Sequence, residues 1–280
     1  MKLNKFKRYF FGIMKLIDIN IFYSKKGDIM TKKKEARQIR IQKILLERTK
    51  VKISDLAKEL NVTPETLRND LNEMENLSLL VREHGYARVI SSSFETPLIM
   101  RNRENPEDKR RITFRAFQEI KDGQIVYLDS GSTVLLGANA LQMKKDITVV
   151  TNSIPLLTHC IAMNINTIVC GGFLFNTGAR TYGHFAANII DHLQIDVAIM
   201  GTDGILDSNG FTTMNSNELS LKRHVMNQTK KLIAVCDGSK FYTSAPYIFC
   251  KFKEFDMLIT NKLTDEQRKM VQDIKEVVEV

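Results

Sequence analysis

Five short polar clusters, each directly after an apolar run, have the residue types best suited to binding a small phosphorylated ligand. They combine hydroxyls, glycines, carboxylates and one lysine: Asp129, Ser130, Gly131, Ser132 and Thr133; Thr151, Asn152 and Ser153; Gly171 and Gly172; Asp203 and Gly204; Asp237 and Lys240. Hydroxyl and backbone N–H groups at a helix start bind phosphate, a lysine adds positive charge, and carboxylates accept hydrogen bonds from sugar hydroxyls. One such cluster is an ordinary turn, whereas five predict a polar pocket for a phosphorylated sugar.

A pair of charged residues leaves a catalytic interpretation open. Glu218 and Lys222 are four residues apart, a spacing that places both side chains on one face of a helix. They belong to the predicted ligand site, and together with Asp203 and Lys240 they also form a candidate acid/base set for isomerising a sugar phosphate. The simplest alternative is an ion pair along the helix. Nucleotide binding is disfavoured, because neither GxGxxG nor GxxxxGK[ST] occurs.

Alternating strand and helix patterns after residue 106 must position these clusters. Apolar runs predict strands at residues 124–128, 147–150, 167–169, 197–200 and 231–235, and a last strand at 257–260. Helical patterns lie before and between them, including one at residues 133–141. Short apolar strands separated by helices indicate an α/β domain with a mostly parallel sheet covered on both faces. Ligands of such sheets bind beyond the carboxyl ends of the strands, where the polar clusters lie.

A second group of residues, between 53 and 74, suits the reading of a base sequence. Apolar residues recur at helical spacing with one break at Asn61, which tolerates a left-handed backbone. Ser54 is expected to cap the first helix, and Thr63 with Pro64 predicts the start of the second. The same spacing fits two amphipathic helices with a solvated polar face. It also fits a helix-turn-helix whose second helix enters the DNA major groove.

The residues that follow favour the DNA-binding interpretation. Two short apolar runs flank a turn at His84 and Gly85, which predicts a wing, and Ile41, Ile44 and Leu45 predict a further helix packed under the pair. Arginine and asparagine side chains read base edges or contact phosphates. The residues predicted to contact DNA are Thr63, Glu65, Thr66, Arg68, Asn69, Asn72, Arg82, His84 and Arg88.

Charge is distributed unevenly along the 280 residues. Residues 1–93 hold 20 Lys or Arg and 11 Asp or Glu, whereas residues 94–280 hold 21 of each, so the net charge of +9 lies in the first third. This asymmetry is expected when one module meets DNA phosphates and the other does not. We predict a winged helix-turn-helix domain at 30–90, a linker at 91–105 and a ligand-binding domain at 106–280.

The first 29 residues are predicted to be a non-native or disordered extension. The apolar run at residues 9–23 is shorter than the ~20 residues that span a bilayer, and Lys15 and Asp18 interrupt it. No small-residue cleavage site follows, which disfavours a signal peptide. The four cysteines lack CxxC spacing, which predicts reduced thiols in a cytoplasmic protein without a metal site or cofactor.

Motifs in both halves resemble the DeoR family of bacterial transcriptional repressors. They are Leu56-Ala57-x-x-Leu60-x-Val62, Thr66-Leu67-Arg68-x-Asp70-Leu71 and His84-Gly85 in the first half, and DSGST, TNS, GG, GTDGI, Glu218-x-x-x-Lys222 and DGSK in the second. Asn69 stands where the family usually has a second basic residue, and Tyr86 where it usually has a second glycine. These departures indicate a different operator sequence and a different wing tip. Met30 lies where chains of the family usually begin.

The resemblance implies a regulator without enzymatic activity. Its C-terminal domain would have a fold similar to ribose-5-phosphate isomerase and bind a phosphorylated sugar. The family implies a homo-oligomer, a dimer or tetramer, that represses a sugar-metabolism operon and whose affinity for double-stranded operator DNA changes with the sugar. The alternative is an isomerase-like enzyme that carries a DNA-binding module. Phe173, Phe175, Arg180, Tyr182 and His184 either select the sugar, pack internally or contact a neighbouring subunit.

Overall fold

The computed structural model describes residues 29–48, 50–76, 79–89 and 95–280, and the chain divides into two units, Met1–Ser92 and Ser93–Val280. The predicted extension lies outside the described residues except for Ile29, and so does the apolar run at residues 9–23. Among the helices that the structure describes, none has the length and apolar character needed to cross a bilayer.

The first unit is a winged helix-turn-helix, as the sequence predicts. Its elements are α1 (Ile29–Arg48), β1 (Lys50–Lys52), α2 (Ile53–Glu59), α3 (Pro64–Asn76), β2 (Leu80–Glu83) and β3 (Tyr86–Val89). The three strands form an antiparallel sheet in the order β1-β3-β2, and β1 was not predicted. Side chains from all three helices fill the core, and Ile41, Leu56, Leu67 and Leu71 are fully buried.

Around the turn between α2 and α3, the predictions for Asn61 and Thr63 hold, whereas the predicted cap of α2 does not. Asn61 adopts a left-handed backbone with φ 52°, and the Thr63 hydroxyl accepts a hydrogen bond from Thr66 N at 3.2 Å, so both features of the turn are confirmed. Ser54 was expected to cap α2, which was wrong. The helix begins one residue earlier, at Ile53, so the Ser54 hydroxyl lies inside the first turn and donates to Asp55.

The second unit contains the predicted alternation of strands and helices. Its helices are α4 (Leu98–Arg101), α5 (Pro106–Phe117), α6 (Ser132–Leu136), α7 (Ile154–Ala162), α8 (His184–Asp191), α9 (Asn217–Asn227) and α10 (Asp265–Met270). Its strands are β4 (Ile125–Leu128), β5 (Thr148–Thr151), β6 (Asn166–Val169), β7 (Phe173–Phe175), β8 (Arg180–Tyr182), β9 (Ile195–Gly201), β10 (Gly210–Thr213), β11 (Thr229–Val235), β12 (Tyr247–Lys251), β13 (Met257–Thr260) and β14 (Val277–Glu279). Short 3-10 helices cover Ala138–Met143, Gly238–Tyr242 and Phe252–Glu254.

Seven strands form one parallel sheet in the order β14-β13-β11-β9-β4-β5-β6, which confirms the predicted fold class. From β4 the chain builds outward through β5 and β6, and it then returns to the other side of β4 to place β9. The strand order therefore reverses between β4 and β9. The carboxyl ends of these two strands border the crevice where ligands bind in such sheets.

Alternate residues of the strands fill two apolar layers, one on each face of the sheet. Val126 and Leu128 of β4 pack with Ile112 and Phe117 of α5, whereas Tyr127 between them faces the layer on the other side. This alternation follows from the two-residue period of a strand. Both faces are covered by helices, as the sequence predicts.

Three details differ from the expected element pattern. The strand at Met257–Thr260 is not the last, because β14 adds to the edge of the sheet, and two antiparallel pairs, β7–β8 and β10–β12, were not predicted. The helix expected at residues 133–141 ends at Leu136. Gly137 follows, where a Cβ atom would lie 2.3 Å from Thr113 Cγ2, so a close approach to α5 requires glycine.

Candidate functional site

Asp129 lies at the centre of the crevice and joins three elements. It directly follows β4, and its Oδ2 atom accepts hydrogen bonds from Gly201 N at the end of β9, at 3.0 Å, and from Lys222 Nζ of α9, at 2.6 Å. Its Oδ1 atom accepts from Ser130 N at 2.9 Å. This carboxylate therefore holds the turn after β4 in a defined position against the neighbouring strand.

A pocket surrounds this carboxylate and contains nine of the residues predicted to bind the ligand. They are Asp129, Ser130, Gly131, Ser132, Thr133, Asp203, Glu218, Lys222 and Lys240. The sequence motifs therefore identify the turn after β4, the end of β9 and the inner face of α9 as neighbours.

Seven other predicted ligand residues lie outside this pocket. They are Thr151, Asn152, Ser153, Gly171, Gly172, Gly204 and Asp237. These residues end strands away from the switch point or belong to turns whose polar groups are already used by the fold. Their strand-end position alone is therefore insufficient to place them at the crevice.

The residues after β5 and β6 lie under the β7–β8 pair. The Thr151 hydroxyl donates to Leu128 O at 2.7 Å, and the Asn152 side chain donates to Thr181 O at 2.9 Å. A Cβ atom at Gly172 would lie 2.3 Å from Tyr182 O, which shows how closely the pair packs on this turn. The small and polar residues there serve the turn geometry and the close packing.

Gly204 and Asp237 are also engaged locally. The Gly204 carbonyl accepts from the Thr212 hydroxyl at 2.6 Å. Asp237 accepts from Asn105 at 2.9 Å and from Ser239 N at 3.0 Å. Burial alone would raise the pKa of Asp237, but these hydrogen bonds and the charges of Lys109 and Lys240 outweigh it, so the pKa is lowered.

Seven pocket residues were not among the predicted site residues. They are Glu95, Arg101, Arg180, Gly201, Thr202, Thr212 and Thr213. Arg180 was considered for sugar selection, whereas Glu95 and Arg101 lie in the predicted linker. The one sequence signal that points to the linker residues is the apolar pair Leu98 and Met100, both buried in the second unit and flanked by these charges.

Two arginines and two carboxylates form a buried network on one wall. Arg180 donates to both oxygens of Glu95, at 2.7 Å each, and forms a further ion pair with Glu218. Arg101 donates to Glu95 at 2.9 Å and lies 3.5 Å from Asp203. Burial alone would lower the pKa of Arg180, but Glu218 and Glu95 outweigh it and the pKa is raised.

The carboxylates of the pocket differ in how strongly their charges are compensated. Burial alone would raise the pKa of Asp203, but Arg101 and the N–H of Met214 outweigh it, so the pKa is lowered. Burial raises the pKa of Glu218, and the charges of Arg180 and Lys222 offset this rise only in part. The Thr213 hydroxyl donates to Glu218 at 2.5 Å.

Two lysine side chains also line the pocket. Burial alone would lower the pKa of Lys222, but Asp129 and Glu218 outweigh it and the pKa is raised. Lys240 is half-buried and makes no ion pair within the described part of the chain. It is therefore the pocket cation whose charge is open to a ligand. Near it, the first N–H groups of α6 lack acceptors within the helix.

The pocket is narrow with its present side-chain positions. About 460 Å³ of space lies between its lining atoms, including open solvent, but only about 30 Å³ is available to the centres of water molecules. That smaller volume is about what one or two water molecules need. A phosphorylated sugar therefore requires some lining side chains to move.

In the first unit, α3 presents the predicted contact residues to solvent. Thr63, Glu65, Arg68, Asn69 and Asn72 are exposed, and Thr66 is half-buried. Arg68 lies 3.2 Å from Glu65, and both side chains are about two-thirds exposed. Such an exposed pair exchanges readily for a DNA contact, because it contributes little free energy.

The wing residues are more restrained than α3. Arg82 donates to both carboxylate oxygens of Glu75, through its guanidinium at 2.7 Å and its backbone N–H at 2.9 Å. Arg88 donates to Glu83 at 2.8 Å, and His84 is exposed at the wing tip. To contact DNA, Arg82 and Arg88 must therefore break their hydrogen bonds to these carboxylates or make the DNA contact in addition to them.

A buried ion pair orients the exposed helix. Asp70, on the inner face of α3, is 1% exposed and accepts from Arg37 of α1. This contact fixes the rotation of α3 about its axis, because Asp70 lies opposite the exposed side chains. The sequence showed Asp70 only as part of a motif.

The two units together define a class of protein. A winged helix-turn-helix followed by a mostly parallel α/β unit with a charged pocket at its switch point is the arrangement of a DNA-binding regulator with a second, candidate ligand-binding domain. Family comparisons give the same result: residues 37–93 match the DeoR-like helix-turn-helix domain, and residues 104–262 match the DeoR C terminal sensor domain. The chain belongs to the DeoR family of transcriptional regulators.

Curated relatives share most of their length with this chain. An uncharacterized HTH-type transcriptional regulator FruR of Bacillus subtilis is 31% identical over 68% of this chain and 76% of the relative. The glycerol-3-phosphate regulon repressor of Escherichia coli is 29% identical over 70% and 78%. The HTH-type transcriptional regulator GolR of Listeria innocua is 30% identical over 85% and 94%.

Among solved structures, ribose 5-phosphate isomerase from Plasmodium falciparum aligns with 48% of this chain and 52% of its own. The sequence identity is 20% and the TM-score 0.36.

Proposed function

We propose that this protein represses a sugar-related operon and that a phosphorylated sugar, bound in the pocket between β4 and β9, changes its affinity for the operator. The observation that carries the proposal is the half-buried Lys240, which lines the same pocket as the turn at residues 130–133. Two relatives from Escherichia coli, the glycerol-3-phosphate regulon repressor and a protein named "Putative aga operon transcriptional repressor", support a sugar-related effector.

The pocket offers groups for both parts of such a ligand. Hydroxyls and N–H groups of the turn at residues 130–133 bind phosphate oxygens, and Lys240 supplies the compensating charge. Asp203 remains ionised and accepts hydrogen bonds from sugar hydroxyls. Four carboxylates and four cationic side chains line the pocket, so an added phosphate requires local rearrangement of these pairs.

Operator binding is proposed for α3 and the wing. Arg68 contacts a guanine edge or a phosphate, Asn69 and Asn72 read adenine, and Arg82, His84 and Arg88 reach the backbone or minor groove. Thr63, Glu65 and Thr66 lie at the start of α3, the end of a recognition helix that contacts base edges.

A homo-oligomer is proposed, because helix-turn-helix proteins read paired half-sites with paired helices. Large exposed apolar side chains at Phe173, Leu174 and Phe185, each more than half exposed, support a subunit contact in the second unit. The site of action is proposed to be the cytoplasm, where operator DNA is present.

Isomerisation of a sugar phosphate is the alternative, and the raised pKa of buried Glu218 favours it, since a general acid needs such a shift. We nevertheless propose that the protein is not an enzyme. Both oxygens of Glu218 are engaged, by Arg180 and Thr213, and Lys222 is held by Asp129. Interconversion of aldose and ketose phosphates by the purified protein would contradict this.

The proposal is tested by thermal unfolding with a panel of sugar phosphates. A ligand at 100 times its dissociation constant should stabilise the folded protein by ~2.7 kcal/mol. Lys240→Ala should bind operator like the wild type but lose both the stabilisation and the change in operator affinity. A wild-type response in Lys240→Ala would refute the assigned site, and no response of the wild type to any sugar phosphate would refute the effector class.

A further inference from the structure

Glu95 engages the two arginines of the pocket. Its side chain is 4% exposed, both its oxygens accept from Arg180 at 2.7 Å, and Arg101 donates to one of them at 2.9 Å. A guanidinium fork of this kind binds the two oxygens of a carboxylate or of a phosphate equally well. Glu95 is therefore chemically equivalent to an anionic ligand already seated in the pocket.

The cations that Glu95 engages line the same pocket as the proposed phosphate site, together with Asp203 and Lys240. Arg101 contacts Asp203 directly at 3.5 Å. A phosphate bound in this pocket therefore competes with Glu95 for the donors of Arg101.

The pocket is too small for the effector unless a lining side chain moves out of it. Only about 30 Å³ is available to water centres while Glu95 is in place. Displacing the Glu95 side chain releases the N–H groups of Arg101 and Arg180 that it accepts from, while Arg180 keeps its ion pair with Glu218 and Arg101 its contact with Asp203. The pocket carboxylates come from different parts of the unit. Glu95 lies before α4, Asp129 follows β4, Asp203 follows β9, and Glu218 belongs to α9.

The position of Glu95 in the chain links the pocket to the DNA-binding unit. It lies six positions after Val89, the last residue of β3. Glu95 is therefore close in sequence to the division between the two units, at Ser92 and Ser93. Regulation requires a ligand with different affinity for two states, and competition with an internal carboxylate supplies that difference.

We propose that Glu95 is an internal competitor of the effector: the effector's phosphate displaces it from Arg101 and Arg180, and its release changes the DNA affinity of the winged helix-turn-helix. The inference rests on the proposed function, because it assumes a phosphorylated ligand in this pocket. Beyond the proposed function, the inference names the contact that the ligand breaks and the residue whose release changes the DNA affinity. In the ligand-free protein, the state in which Glu95 has left the arginines is a minor population, which weakens the apparent affinity for the effector.

The test compares wild type, Glu95→Gln and Glu107→Gln as full-length proteins. Calorimetric titration with inorganic phosphate measures pocket affinity, and fluorescence anisotropy with DNA from upstream of the protein's own gene measures operator affinity. Glutamine keeps an oxygen that accepts from the arginines but lacks the charge. Glu107, on α5, is 83% exposed, so its variant removes one carboxylate outside the pocket.

Glu95→Gln should bind phosphate at least tenfold more tightly than the wild type and, without phosphate, bind DNA as the phosphate-saturated wild type does. Glu107→Gln should match the wild type in both assays. Phosphate affinity of Glu95→Gln within twofold of the wild type, or weaker, overturns the inference. If Glu95→Gln does not fold, Glu95→Asp, whose carboxylate is one methylene shorter, should give an intermediate gain, and an unchanged affinity overturns the inference.

The outcomes separate this inference from the proposed function. If the wild type binds phosphate, Lys240→Ala does not, and Glu95→Gln binds like the wild type, the site stands and the competitor role of Glu95 fails. If neither the wild type nor Glu95→Gln binds phosphate or any sugar phosphate of the panel, the proposed function fails and the inference fails with it.

Discussion

The ion pair between Asp129 and Lys222 should be a main determinant of the stability of the second unit. The two side chains are about 5% exposed and their charged atoms lie 2.6 Å apart. Asp129→Asn keeps the shape of the side chain and an oxygen for Gly201 N–H, but it removes the charge that compensates the buried ammonium. Removing one partner of such a pair costs about 3–5 kcal/mol. Glu218 also stabilises the charged lysine, so the lower end of this range is expected.

The loss is measured by calorimetric unfolding of the full-length protein. For a unit of this size, each kcal/mol shifts Tm by about 2–4 °C, so a loss of ~3 kcal/mol lowers Tm by about 6–12 °C. Asp273→Asn, at an exposed position, controls for loss of a carboxylate and should unfold like the wild type. The double variant Asp129→Asn, Lys222→Met should recover much of the loss, because no uncompensated charge stays buried.

Two results would refute this reasoning. One is an Asp129→Asn protein within about 1 kcal/mol of the wild type, since the cost of a buried, unpaired ammonium exceeds that. The other is a double variant no more stable than the single one, which would assign the loss to the shape of the Asp129 turn and not to charge.

Three further predictions use other contacts. Burial lowers the pKa of Lys109 to about 8, below its unfolded value of about 10.4, so the unfolded chain binds more protons than the folded chain between these pH values. Relative to Lys109→Met, the wild-type unfolding free energy should therefore rise by about 2.5 kcal/mol from pH 8 to pH 10.5, measured by urea denaturation. Gly137→Ala should destabilise the second unit by about 1–3 kcal/mol in the same assay, because its Cβ would lie 2.3 Å from Thr113. Arg68→Ala should weaken operator binding by ~1–3 kcal/mol in anisotropy titrations without altering Tm, and unchanged binding would remove the assigned reading face.

Much of the winged helix-turn-helix could be predicted because its signals are local. Asn61 at the break and the Thr63 cap act within a few residues of their own positions, and the structure has both. The Arg37 contact with Asp70 could not be predicted in this way, because the two residues are 33 positions apart. No propensity or periodicity reports a pairing at that separation.

Part of the pocket could be predicted because its sequence signals are also local. Asp129 and its turn follow an apolar strand directly, and Glu218 with Lys222 share a helix face, so sequence spacing identifies both. Arg101 and Glu95 lie in a segment rich in turn-forming residues, which predicts a connector. Their burial depends on α4 packing into the second unit through Leu98 and Met100.

By itself, the sequence determined the order of helices and strands, the caps of particular helices and the polar character of five strand ends, because these depend on apolar periodicity and on short-range hydrogen bonds. Only the tertiary structure decided which strand ends meet. The crevice opens where the strand order reverses between β4 and β9, so the ends of β5 and β6 are excluded from it. That selection depends on pairing between residues far apart in the chain, as between Tyr127 and Ala198.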